Sequence, residues 1–115
     1  MEVKKKFFME CHLAGRTYHE AIEVWDKLKV GTVLQLEPDF RNRFDPNAVA
    51  VVYKDAEQDE TYLLGYIPRD RNETIAAFLE MGWEEAFECR ISKINPDAHP
   101  ERQIQLLIRI KKKKE

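Results

Sequence analysis

The sequence has few of the features that mark extracellular, membrane or cofactor-binding chains. Its 115 residues include only two cysteines, Cys11 and Cys89, far apart and in no CxxC pair. That excludes a disulfide framework and a zinc ribbon. The four glycines, at 15, 31, 65 and 82, are too widely spaced to write a GxGxxG or Walker loop, so no nucleotide cradle and no cofactor is implied. No apolar run approaches the roughly 20 residues that span a bilayer. The basic opening leads into a short strand-like segment where a signal peptide would have its apolar core. A soluble, cytoplasmic protein with no membrane attachment is expected. There is no internal repeat and no linker rich in proline, glycine or serine, so one domain is expected over residues 1–115, with a folded core at 7–110.

Net charge is also nearly missing: 19 basic residues face 21 acidic ones, a formal charge of −2. Taken alone, this argues against a nucleic-acid binder. The distribution says more. Lys4, Lys5 and Lys6 open the chain and Lys111, Lys112, Lys113 and Lys114 close it. Without those seven, Glu2 and Glu115, 12 basic and 19 acidic residues remain between Phe7 and Ile110, a net of −7. If the first and last strands pair antiparallel, the lysines gather at one pole, with a field reaching about 8 Å at physiological salt. The plainer reading is solubilising tails or edge-guarding lysines.

What is present is strand pattern. Residues 7–13 (FFMECHL) read as a first strand. Ala21, Ile22, Trp25 and Leu28 then suit the apolar stripe of a short amphipathic helix. Residues 32–37 (TVLQLE) alternate, with Val33, Leu34 and Leu36 as inward candidates, and Pro38 ends them. Residues 48–53 (AVAVVY) and 61–67 (TYLLGYI) predict a hairpin across the acidic turn from Asp55 to Glu60. A helix follows, capped by Asn72 or Asp70, with Ile75, Ala76, Phe78, Leu79 and Met81 facing the core and Gly82 at C′. Residues 87–95 and 103–110 predict a second hairpin. Six short strands with two small helices point to a mainly β fold, a compact antiparallel barrel or curled sheet.

The densest unusual segment is residues 37–48 (EPDFRNRFDPNA), between two strands. A structural reading makes it a turn: Asn42, Asp45 and Asn47 bond backbone N–H groups two residues on, Pro46 fixes φ, and Phe44 plugs the core. A functional reading has Arg41 and Arg43 on phosphates, Phe44 as an aromatic face and Asp45 as a fixed acceptor, a set suited to a single-stranded nucleic-acid end. Metal binding is disfavoured, because adjacent Cys11 and His12 on a strand point to opposite faces. A small zinc protein is the weakest alternative. No nucleophile motif is present, and the pair Glu84-Glu85 reads as solvated surface, so a non-enzymatic chain is expected.

Four segments together, AGRTY at 14–18, LQLEP at 34–38, NRFDPNAVAV at 42–51 and LGYIPR at 64–69, resemble the HIRAN domain family. The resemblance runs from about residue 7 through the helix near Met81, and more loosely to Ile110. It implies a barrel related to the OB-fold, found alone in bacteria and fused to helicases and nucleases that act on damaged or stalled DNA. It further implies a reader of single-stranded DNA ends that grips a free 3′-hydroxyl. Asp45 would accept the hydroxyl's hydrogen bond, which a 3′-phosphate would lose to charge repulsion. Phe44 would stack on the terminal base in place of the family's tyrosine, and Asn42 would hold the loop or bond the nucleotide. Arg16 and Arg69 would meet phosphates, with Tyr66 lining the groove. Thr17 stands where a second stacking tyrosine is found, leaving Tyr18 as its substitute, and Arg43 replaces a common proline. The chemistry of the fused proteins resides in their other domains. An adaptor that docks a nuclease or helicase partner is the competing expectation.

Overall fold

The computed structural model describes residues 4–16 and 19–113, so Tyr18, Thr17 and Lys114 lie outside the described residues. The six strands are β1 (Lys5–His12), β2 (Val33–Pro38), β3 (Val49–Asp55), β4 (Glu60–Tyr66), β5 (Phe87–Ile94) and β6 (Ile104–Lys111). They form one antiparallel sheet in the order β1-β6-β5-β2-β3-β4. The two outer strands meet where the chain continues past β1: Ala14 N–H donates to the Tyr66 carbonyl and Tyr66 N–H to that of Ala14, both at 2.9 Å. This single bridge closes the sheet into a barrel. Register shifts between Phe7 and Met9, Val51 and Val52, and Ile91 and Lys93 mark bulges. Such insertions bend a strand and add the twist that closure needs.

Gly65 permits the closure. A Cβ there would lie 2.4 Å from the Ala14 carbonyl oxygen, so the bridging backbones could not approach with any larger residue. Alternating residues fill the interior, among them Cys11, Leu13, Leu34, Leu36, Val49, Val51, Leu64, Ile91, Leu106 and Ile108. Within β2, Leu34 and Leu36 point inward and Val33 is exposed, which settles the parity the sequence left open.

The predicted first helix is a 3₁₀ segment, Glu20–Lys27, broken at Val24 by a non-helical φ of −123°. Its inward residues are Ala21, Val24 and Leu28, while Ile22 is exposed. Val24, the residue at the break, takes the inward place expected of Ile22. This segment covers the β4 edge, where the Glu20 carboxylate accepts the Leu63 N–H at 3.0 Å.

The predicted second helix is α1, Glu73–Glu80. It ends as expected: Gly82 has φ of 87°, its N–H donates to Leu79 and that of Trp83 to Phe78. Its start differs. Asn72 occupies the N-cap position but makes no side-chain cap bond: its backbone is already helical at φ −99° and ψ −13°, and its side-chain NH₂ donates to Asp45.

Candidate nucleic-acid interface

The loop between β2 and β3 is built from its own side chains. Asn42 Oδ1 accepts the N–H groups of Phe44 at 2.9 Å and Asp45 at 3.0 Å, and Asp45 Oδ1 accepts that of Asn47 at 2.9 Å. These are the local turns that asparagine and aspartate favour. One further anchor comes from α1. The amide of Asn72, only 2% exposed, donates to Asp45 Oδ2 at 2.8 Å. Both carboxylate oxygens of Asp45 are thereby oriented, and each keeps a lone pair for a further donor.

Phe44 does not plug the core. It is 83% exposed and Phe40 is 76% exposed, so the loop lifts two aromatic rings into solvent. Asn42 dictates this geometry: by bonding both following N–H groups it turns the chain tightly at Arg43-Phe44, outside the sheet. Arg41, Arg43 and Arg69 are exposed too, and among the described residues no ion pair or side-chain hydrogen bond engages their guanidinium groups.

Tyr66 and Arg16 are held more firmly. The Tyr66 hydroxyl donates to Asp39 Oδ2 at 2.7 Å and its ring meets His19 edge-on at 5.4 Å. Burial, then the hydrogen bond and charge of Asp39, push its phenol up to about 12, so it stays protonated at any working pH. Arg16 donates through Nε to Gln103 Oε1 at 2.7 Å and lies over the Trp25 ring at 4.6 Å. Gln103 is itself tied to the carbonyls of Pro96 and Ala98, so Arg16 is braced by the turn that precedes β6.

The structure thus brings Asn42, Arg43, Phe44 and Asp45 onto one loop, with Tyr66 joined to that loop through Asp39. Arg69 stands just before α1, whose Asn72 holds Asp45. Arg16 is tied instead to Gln103 and Trp25. Sequence reasoning missed Asp39 and Asn72 as site residues. Nothing local marks Asn72, whose partner is 27 positions away; Asp39, immediately after the strand-ending Pro38, carried a faint signal.

The two thiols belong to the core. Burial raises Cys11 to about 11 and Cys89 further still, so both are protonated at neutral pH. Cys11 is buried and His12 exposed, on opposite faces of β1 as alternation requires. Among the described residues, no group of three histidine, cysteine, aspartate or glutamate side chains is placed to hold a metal ion.

Comparison with known proteins places this architecture. The model of the HIRAN domain matches residues 6–113. The chain belongs to the HIRAN domain family. HIRAN domains are binding domains, typically nucleic-acid-binding modules of nucleases and helicases. Among its relatives is the Fanconi-associated nuclease 1 homolog of Oryza sativa subsp. japonica, 34% identical over 77 residues that make up 67% of this chain. The match spans 7% of that nuclease's length. The same fold occurs in the crystal structure of a structural-genomics target protein from Lactobacillus plantarum, with a TM-score of 0.73 at 19% identity, over 97% of this chain and 100% of that one. No helix among the described residues is long and apolar enough to cross a membrane.

Proposed function

We propose that this HIRAN domain is a non-enzymatic module that recognises the 3′-hydroxyl end of single-stranded DNA through its β2–β3 loop. The observation that carries the reading is the fixed Asp45 carboxylate beside a fully presented Phe44. An aspartate braced by Asn72 and the Asn47 N–H is an acceptor oriented before the ligand arrives, which lowers the ordering cost of binding. A 3′-hydroxyl donates to it; a 3′-phosphate carries only acceptors and negative charge, and is repelled. Phe44 offers a stacking face to the terminal base, in a position where its ring does nothing for the core. Arg43 and Arg69 supply the phosphate contacts, Tyr66 lines the groove through its tie to Asp39, and Tyr18 is the remaining aromatic of the set.

Fluorescence anisotropy with short single strands ending in 3′-hydroxyl or 3′-phosphate tests this. The hydroxyl strand is expected to bind at least tenfold tighter, and Asp45→Ala to remove the difference. Equal affinity for the two ends would overturn end recognition. The exposed rings of Phe40 and Phe44 also favour a second reading, an adaptor that docks a nuclease or helicase partner. Under it the purified chain binds no DNA, and Phe44→Ala releases the partner.

A further inference from the structure

A second basic feature of the molecule lies outside that loop. β1 and β6 pair so that Lys5 stands opposite Lys111, and the Lys112 N–H donates to the Lys4 carbonyl at 2.8 Å. Among the described residues, Glu88 pairs with Lys5, and no other ion pair engages these lysines. Lys4, Lys6, Lys111 and Lys112, with Ile110, line a cavity of about 240 Å³.

The bulge between Phe7 and Met9 explains why the lysines converge. Met9 is opposite buried Ile108, and the next inward position on β6 is Ile110, opposite Lys6. Without the extra residue, Lys6 would face outward; with it, Lys6 and Lys4 extend the inward-facing row past the point where the apolar core stops. The barrel therefore ends in a concave basic lip.

Strand direction sets where the lip opens. β1 begins at the end where its neighbour β6 finishes, beside the start of β5. The lip therefore lies where β1 starts, whereas the closing bridge sets the finish of β4 at Tyr66, and through the Tyr66–Asp39 hydrogen bond the base of the β2–β3 loop, beside Ala14 past the other end of β1. Exposed Trp83, just after α1, lies 5.7 Å beneath the Lys113 ammonium and adds an aromatic surface to the lip.

We infer that the lysine lip is a second binding surface, one that takes the phosphate backbone of a nucleic-acid strand without regard to its sequence or its end. The assignment stands whether or not the loop reads a 3′-hydroxyl. Lysines act here as mobile point charges with no fixed fork, suited to a run of phosphates and not to one oriented anion.

The test compares the full 115-residue chain with a variant carrying Lys4→Gln, Lys6→Gln, Lys111→Gln and Lys112→Gln, on a 20-nucleotide oligothymidine across a salt series. Each phosphate neutralised on a single strand contributes about 0.7 to the slope of log affinity against log salt. The variant is expected to lose about 2–3 of that slope and at least tenfold in affinity at low salt, with unchanged thermal melting. A control with Lys29→Gln and Lys93→Gln, at the opposite end, should keep the slope. An unchanged slope in the fourfold variant, or an equal loss in the control, overturns the proposal. So does a variant that keeps its oligothymidine affinity but is released from phosphatidylserine vesicles. Discrimination between 3′-hydroxyl and 3′-phosphate, measured on both proteins, reports separately on the loop: loss of slope without end discrimination upholds the lip and removes the end reading.

Discussion

At the scale of single residues, Phe44 and Asn72 have opposite tasks. Phe44 touches little and is expected to matter only to ligand. Phe44→Ala should leave the denaturant midpoint within the error of a surface substitution, about 0.5 kcal/mol, while costing about 1–3 kcal/mol of single-strand affinity by anisotropy. Equal losses in both would return the ring to a packing role. Asn72 is buried and donates to Asp45, so Asn72→Ala leaves the carboxylate short of a partner. A loss of about 1–2 kcal/mol of stability is expected, with partial loss of end discrimination. Half of this site was legible in the sequence. The short-range bonds of Asn42 and Asp45 follow from residue type and spacing, because an asparagine or aspartate side chain reaches two residues on. Asn72 was illegible and Asp39 nearly so, because their partners are distant in sequence and only the closed barrel brings them together.

At the scale of elements, all six strands were legible, because alternation and β-branching are local signals. The 3₁₀ winding of Glu20–Lys27 was not. Its residues also satisfy an α pattern, and the demand of the β4 edge decides between the two. Closure was likewise hidden in one residue. Gly65→Ala sets a methyl against the Ala14 carbonyl and should cost about 1–3 kcal/mol in urea unfolding, whereas an unchanged midpoint would show that the bridge does not hold the barrel shut. β5 and β6 carry a different device. Burial raises the Glu88 carboxyl, but hydrogen bonds from Lys5, Arg109 and Arg90 prevail and hold it at about 2. A folded-state value below the unfolded one means the stabilisation is complete above about pH 4.5 and fades as pH falls towards 2. With its cations partly exposed, the network should contribute about 1–2 kcal/mol. Glu88→Gln is expected to lower stability at pH 7 and to flatten its decline between pH 5 and 2 in thermal melts. A parallel decline in both proteins would assign acid sensitivity to other carboxylates.

At the scale of the whole molecule, an acidic body carries basic groups at one end. The near-zero net charge is the average of two regions and describes neither of them. One further property follows from the backbone bond between Lys112 and Lys4. The chain enters and leaves the barrel side by side, a few ångströms apart. A loop in a host protein could therefore carry this barrel as an inserted cassette, splicing it between two neighbouring residues without stretching either the host or the guest.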